Sequence, residues 1–100
     1  METKKLVKLI IELTGVAKDI AGASEIELDF SEQDTYHDVV EKLAELHPGL
    51  VNILIAPDKK TFLSSNLFII NDEMNDPVFF MDRHPNDGDR LTLVSVMTGG

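Results

Sequence analysis

The residues best suited to chemistry are the two glycines that close the sequence, Gly99 and Gly100. Glycine has no Cβ, so this pair can lie extended in a channel that is too narrow for side chains. Gly100 would then present an unhindered α-carboxylate, which becomes an acyl donor only after ATP converts it to an acyl-adenylate. We therefore expect the carboxylate of Gly100 to be the reacting group, and Gly99 to allow the tail to enter a narrow channel. Thr98, after Met97, belongs to the segment that threads into a partner's active site.

No other group of side chains indicates catalysis. The three histidines are widely spaced and have no carboxylates at the spacing of a metal site. Ser64 and Ser65 lack the flanking glycines and the neighbouring histidine of a nucleophilic serine. The acidic stretch 82–89 lacks the ligand spacing and the closing glutamate of a calcium loop, so it predicts a turn. We expect no catalytic residue, no metal site and no bound cofactor, and a chain that is not an enzyme by itself.

Composition narrows the classes of function. The chain has 100 residues, no cysteine, and a formal net charge of −9 from 9 Lys plus Arg against 18 Asp plus Glu. The lack of cysteine excludes disulfide frameworks, iron–sulfur clusters and cysteine nucleophiles. The acidic balance argues against nucleic acid as the partner, because phosphate binding requires clustered Lys and Arg. No apolar run approaches a membrane span, and the first residues do not resemble a signal peptide, so we expect a cytoplasmic protein.

Two strands are predicted before the first long helix. Val7, Leu9, Ile11 and Leu13 alternate with polar positions and predict a strand that ends near Thr14, although a helical stripe fits almost as well. A short helical turn is expected over 16–21. The segment 25–30 alternates strictly, with three apolar residues on one face and three acidic residues on the other, and predicts the second strand of a hairpin.

The predicted helix starts with a capping signal and ends at a proline. Thr35 and Asp38 have the spacing of a capping box, with Asp in place of the usual Glu. Apolar residues then recur at helical spacing up to Leu46, and Pro48 with Gly49 stops the helix. The apolar run 50–56 that follows is compatible with a short strand or a helical turn.

The last third predicts the remaining strands. A continuous apolar strand is expected at 67–70, a short edge strand at 77–81, a tight turn at 87–89 and a final strand at 90–97. This order predicts an α+β fold of the β-grasp type. It would have a mixed sheet of about four to five strands, with one main helix packed on one face. We expect a single domain over residues 1–97 and a flexible Gly-Gly tail over 98–100.

Two stretches carry a resemblance to a known family. Residues 85–100 combine the turn Asp87-Gly88-Asp89, an alternating apolar strand and a terminal Gly-Gly, and 66–72 is similar to a strand with an asparagine-containing turn. Together they resemble the MoaD/ThiS sulfur-carrier family. The sequence departs from the family at Asp72, where glycine is usual, at 95–96, where prolines are common, and in a longer segment over 50–65.

The resemblance implies a ubiquitin-like β-grasp fold and a set of partners. An adenylyltransferase resembling the ubiquitin-activating enzymes would use ATP and Mg to adenylate Gly100, and a sulfur donor would convert it to a thiocarboxylate. MoaD-like proteins deliver this sulfur to a pterin precursor as the small subunit of molybdopterin synthase, on whose large subunit they dock. ThiS-like proteins deliver it to the thiazole of thiamin, and other relatives modify lysines.

A docking surface is expected on the face of the sheet that the helix does not cover. We predict that it includes four residues of the last two strands: Phe68, Ile70, Thr92 and Val94. The residue type does not decide which residues of these strands face outward. A different class of function stays open, in which the chain is a non-covalent β-grasp interaction module and its terminal glycines have no role.

Overall fold

A computed structural model describes residues 6–63, 66–70, 77–78 and 80–95. It contains the following elements: β1 (Leu6–Leu13), α1 (Gly15–Ala21), β2 (Glu25–Ser31), α2 (Tyr36–Leu46), a 3₁₀ helix (Pro48–Leu50), β3 (Asn66–Ile70) and β4 (Arg90–Ser95). The four strands form one mixed sheet in the order β2-β1-β4-β3. β1 pairs parallel with β4, and the two outer pairs are antiparallel. This topology confirms the predicted β-grasp fold.

β1 is a strand because it lies between two partners and buries one face. Its burial alternates, so that Val7, Leu9, Ile11 and Leu13 are buried while residues between them are more exposed. The alternative reading of this segment as a helix is wrong. A helix would have satisfied its own backbone groups, whereas here β2 and β4 accept and donate the hydrogen bonds of β1 on either side.

α2 covers the inner face of the sheet. Its residues Val39, Val40 and Leu43 are fully buried in the same cluster as the inner residues of the strands. The predicted capping box is present, with Asp38 Oδ2 accepting from the Thr35 N–H at 2.7 Å. Two loop carbonyls accept from the first N–H groups of the helix, at 3.1 Å each: Arg83 from Tyr36 and Met81 from His37. The start of α2 is therefore fully occupied by hydrogen bonds within the fold.

The segment after the 3₁₀ helix is compact but irregular. The run 50–56 is not a strand, because Ile55 makes only isolated bridges, parallel to Val51 and antiparallel to Phe62. It is not a helical turn either, because Val51 is extended and Asn52 has a positive φ of 72°. Leu50 and Ile55 are nonetheless fully buried. Burial of these two side chains, rather than a regular ladder, holds the segment against the core.

A carboxylate organises the turn that closes this segment. Asp58 Oδ1 accepts from the Lys60 N–H at 2.8 Å and from the Thr61 N–H at 3.1 Å. The bond from Lys60 is the main cause that lowers the pKa of Asp58 below its ordinary value of 3.8. Because the folded state binds this proton less tightly, the contribution of Asp58 to stability is present above the unfolded pKa. It is lost as the pH falls through the folded one.

Of the predicted edge strand at 77–81, the described residues form one isolated bridge. Pro77 bridges to Ile69, and the Val78 N–H donates to the Phe68 carbonyl at 2.8 Å. Proline lacks an N–H group, so Pro77 cannot donate a hydrogen bond to a ladder. The carbonyls of Met81 and Arg83, which follow, bind the start of α2 instead. Residue 79 of this predicted strand lies outside the described residues, as do residues 1–5 and 96–100.

No helix among the described residues is long and apolar enough to cross a membrane.

Candidate functional site

The candidate site is the end of β4, where the sequence continues into the Gly-Gly segment. β4 occupies the centre of the sheet, and its residues Leu91 and Leu93 are 0% and 2% exposed. The last described residue, Ser95, pairs with Asn66 at the start of β3. The five residues that follow Ser95 can span at most about 17 Å when extended, which sets how far Gly100 can reach from the sheet.

The predicted tail residues lie beyond this point. Met97, Thr98, Gly99 and Gly100 are outside the described residues. Their roles in threading and adenylation therefore stay predictions. What the structure does describe is the support from which this segment extends, and that support is built from both ends of the chain.

One anchor holds the far half of β4 to the first strand. Thr14, the residue directly after β1, donates its hydroxyl to the Leu93 carbonyl at 2.9 Å. The two residues lie 79 positions apart in the sequence. In the parallel ladder, Leu13 stands opposite Leu93. The hydroxyl therefore continues the hydrogen bonding of β4 past the end of β1.

The Asp87-Gly88-Asp89 turn holds the near half of β4. The Lys8 N–H donates to Asp87 Oδ1 at 2.8 Å, and the Gly88 N–H donates to the Lys8 carbonyl at 2.8 Å. The Ile10 N–H then donates to the Asp89 carbonyl at 3.1 Å. The turn thus forms the first rungs between β1 and β4, and it sets the register of the strand that leads to the tail.

The same turn is closed internally by its second aspartate. Asp89 is only 8% exposed, and its Oδ2 accepts from the Asn86 N–H at 3.1 Å. Gly88 has φ of +87°, a region that residues with a Cβ rarely adopt. These requirements give a physical reason for the order Asp-Gly-Asp, which the sequence alone identified only as a tight turn.

Replacing Gly88 tests this account of the turn. A Cβ built at Gly88 meets no atom within 4 Å, so the cost of Gly88→Ala is conformational rather than steric. We expect the free energy of unfolding to fall by about 1–2 kcal/mol, measured by chemical denaturation. Gly88→Asn is the matched control, since asparagine tolerates positive φ, and it should cost clearly less. Equal losses in the two variants would contradict the assignment.

The outer face of the sheet near the tail is formed by Thr92, Val94 and their partners on β3. Thr92 and Val94 are half-buried and point away from α2, because the residues that alternate with them, Leu91 and Leu93, belong to the core. The ladder places Ile69 beside Thr92 and Leu67 beside Val94. Their place on the outer face agrees with the prediction for Thr92 and Val94, and their role in docking stays a prediction.

The prediction for Phe68 and Ile70 is corrected. Phe68 is fully buried, and its ring meets the Phe62 ring edge-on with centroids 4.9 Å apart. Ile70 packs against the same core. Both residues lie opposite inner residues of β4, so the period of two in a strand directs them inward and directs Leu67 and Ile69 outward. The signal that could have assigned these faces is the register between β3 and β4, because Ile69 lies opposite the polar Thr92, which identifies the outer face.

A network of charges borders this face. The Arg90 guanidinium lies 3.1 Å from Glu12 Oε1 and 2.9 Å from Glu25 Oε2, and the Thr92 hydroxyl donates to Glu12 Oε2 at 3.0 Å. The network ties β4 across β1 to β2. Among the described residues, no group of three or more His, Asp or Glu is arranged to hold a metal ion. The outer face therefore changes from charged beside β2 to apolar beside β3.

Comparisons with known proteins agree with this architecture. The structure is similar to SAMP1 from Haloferax volcanii, with a TM-score of 0.75, 20% identity, and coverage of 93% of this chain and 99% of that one. It is similar to a putative molybdopterin converting factor, subunit 1, from Pyrococcus furiosus (TM-score 0.70, 17% identity, 91% and 99% coverage). It is also similar to Urm1 from Trypanosoma brucei (TM-score 0.56, 19% identity, 98% and 100% coverage).

These identities are low, so the likenesses establish the shared fold. A comparison with curated proteins gave no match. The family described as the ThiS family matches residues 11–100, which includes β4, its anchoring turn and the Gly-Gly pair. Because that match covers nearly the whole sequence, the chain belongs to the ThiS family.

Proposed function

We propose that this chain is a sulfur carrier whose active group is the α-carboxylate of Gly100. In the first step a carboxylate oxygen attacks the α-phosphate of ATP on an activating enzyme, and pyrophosphate leaves. In the second step a sulfide equivalent attacks the acyl carbon, AMP leaves, and the terminus becomes a thiocarboxylate. The observation that carries the proposal is that the family match extends through Gly100.

Two features of the chain support a role for the terminus rather than for a side chain. The sequence has no cysteine, so no thiol is present to carry sulfur. β4 is fixed from both sides, by Thr14 at Leu93 and by Asp87 at Lys8, so the segment after Ser95 starts from a rigid base. A rigid base with a short tether limits the positions in which Gly100 can be presented to a partner.

The most specific form of the proposal is the small subunit of molybdopterin synthase. In that form the large subunit buries the tail and uses the sulfur, and ATP and Mg act only on the activating enzyme. The structural likeness to a putative molybdopterin converting factor, subunit 1, supports this form. Sulfur transfer to the thiazole of thiamin is the alternative that the family description supports.

A second candidate function is protein modification. The likeness to SAMP1, which is a small archaeal modifier protein, favours it. In this function the lysine amine of a target, instead of sulfide, attacks the acyl carbon, AMP or an enzyme thiol leaves, and an isopeptide bond forms at Gly100. Sulfur transfer and modification share the adenylate, so they differ only in the nucleophile that follows.

Intact-mass spectrometry tests the proposal directly. The full chain is incubated with its cognate activating enzyme, ATP and a sulfur source, and exchange of one carboxylate oxygen for sulfur is expected. Adding the candidate large subunit with its pterin precursor should return the carboxylate, whereas a modifier would give adducts on lysines that end in Gly100. Lack of both products with an enzyme that is active on another carrier would overturn the proposal.

The outer face of the sheet gives a separate prediction about the activating enzyme. Val94→Glu places a charge on the apolar part of this face and should weaken binding of that enzyme about tenfold, with little change in stability. Val16→Glu is the matched control, since Val16 lies on α1 and is 55% exposed. Binding and the rate of adenylation are measured for both variants. Equal effects in the two would show that this face is not the docking surface.

A further inference from the structure

The free edge of β2 is a second surface with capacity for binding. The strand order places β2 at one end of the sheet. The Leu13 N–H donates to the Ser24 carbonyl at 2.9 Å, which sets the alternation of the ladder between β1 and β2. Because of that alternation, three residues point their N–H and C=O groups away from β1 and toward the open edge: Glu25, Glu27 and Asp29. No described residue forms a hydrogen bond with these six groups.

Hydrogen bonds at Ser31 end the open edge of β2, and the opposite edge of the sheet, formed by β3, is partly covered. At the end of β2 the Ser31 N–H donates to Asp34 Oδ2 at 2.8 Å, and the Asp34 N–H donates to the Ser31 carbonyl at 3.0 Å. At the opposite edge, β3 is bridged by Pro77. The backbone over 25–29 is thus a short template for one added strand, which can contribute up to six hydrogen bonds.

Charge determines which strand fits this template. The side chains of Glu25, Glu27 and Asp29 are exposed on the outer face beside the edge. Arg90 pairs with Glu25 and Lys8 stands opposite Asp29 on β1, so both cations lie on the inner side of this acidic row and leave Glu27 without a described ion pair. On the other side, between β2 and α2, lies a groove of about 210 Å³, and the charged residues of α2 and of the loop before it that line this groove are Asp34, Asp38, Glu41, Glu45 and Lys42. Acidic groups therefore flank the edge on both faces.

A second copy of the chain fits this edge poorly. Two β2 strands that pair about a two-fold axis would bring acidic side chains directly opposite acidic side chains, which destabilises a sheet. A strand with Lys or Arg at alternate positions reverses the sign of every such pair. We propose that the β2 edge binds an extended basic segment of a partner protein by strand addition.

This inference is independent of the sulfur chemistry. β1 lies between β2 and β4, so a strand added at β2 leaves the outer face at Val94 and the tail unoccupied. A partner can therefore hold the carrier by this edge while another protein acts on Gly100. The proposal survives if Gly100 is never adenylated, and it can fail while the sulfur chemistry stands.

Amide hydrogen exchange on the full chain tests strand addition residue by residue. The probe is a capped peptide of about eight residues that alternates Lys and Val. We expect it to slow exchange at the amides of Glu25, Glu27 and Asp29, while Ile26 and Leu28, which already pair with β1, change little. A peptide that alternates Glu and Val should have no effect. Protection only at other amides, or equal protection by the Glu-Val peptide, would overturn the proposal, as would self-association of the chain through these amides.

Variants at Glu27 separate the hydrogen bond from the charge. Glu27→Pro removes an edge N–H but no ladder bond, and should weaken the Lys-Val peptide about tenfold. Glu27→Gln keeps the N–H and should cost about threefold, the effect of one exposed ion pair. Asp82→Asn makes the same charge change in a loop away from the β2 edge and should have no effect. An unchanged affinity in Glu27→Pro would contradict strand addition.

The same hydrogen bonds can be removed from the peptide, which keeps the test valid if Glu27→Pro does not fold. Two peptides are N-methylated at every second residue. In the first peptide the methyl groups block the amides that would face β2, and in the second they block the amides that would face solvent. We expect the first peptide to lose binding about tenfold or more and the second to retain it. Equal binding of the two peptides to the unaltered protein would show that the contact is electrostatic only.

Discussion

Deletion of Gly99 and Gly100 is expected to abolish formation of the acyl-adenylate and of the thiocarboxylate. The shortened chain would end at Thr98, whose β-branched side chain cannot enter a channel shaped for glycine. Intact-mass spectrometry with the activating enzyme, ATP and sulfide measures the product. Thermal unfolding should be unchanged, because every described residue of the buried core lies between Val7 and Leu93.

Two substitutions make this result specific to the terminus. Gly99→Val keeps the length of the tail and should slow the reaction by about 100-fold, because the carboxylate is displaced from its position for attack. Thr98→Ala is the matched control and should retain most of the activity. If the chain without Gly99 and Gly100 kept all partner binding and cellular function, it would be a non-covalent interaction module and the sulfur-carrier proposal would be wrong.

Phe68→Ala is expected to lower the free energy of unfolding by about 3–5 kcal/mol. The side chain is fully buried and contacts the rings of both Phe62 and Tyr36, so its removal leaves a cavity between β3 and α2. Domains of this size have a total stability of about 5–15 kcal/mol, so the loss is a large fraction of it. Urea unfolding followed by circular dichroism measures the change.

Val94→Ala is the comparison for this prediction, because Val94 is an apolar residue of the neighbouring strand on the opposite face. It should cost about 1 kcal/mol or less, as expected for a half-exposed position. Similar losses for the two variants would contradict the assignment of faces. If Phe68→Ala lowered the free energy of unfolding by less than about 0.5 kcal/mol, Phe68 would instead belong to the exposed docking surface.

The sequence predicted the elements whose signals are local. Strict alternation identified β2, and a capping box followed by helical spacing identified α2. It did not assign the faces of β3, because four consecutive apolar residues contain no polar position to mark the outer face. The register with β4 decided the assignment, and register is a property of two strands rather than of one.

The candidate site divides in the same way. The Gly-Gly pair and the Asp-Gly-Asp turn are visible in the sequence because their composition is unusual. The hydrogen bonds that fix β4 are not visible, because they join Thr14 to Leu93 and Lys8 to Asp87 across 79 positions. No local pattern specifies that a threonine hydroxyl after the first strand will bind a carbonyl of the last.

The parallel pairing of β1 with β4 has a consequence for the order of events in synthesis. β4 fills the position between β1 and β3, so the sheet has no centre until residues 90–95 have been made. Until then the buried row of β1 has no partner on that side, and contacts over such long separations form late in folding. The domain therefore completes its fold only when nearly all of its sequence exists. Under the proposed function, a nascent chain that lacks residues 90–100 offers an activating enzyme neither the docking face nor the terminus, so the fold itself would restrict activation to chains whose synthesis is finished.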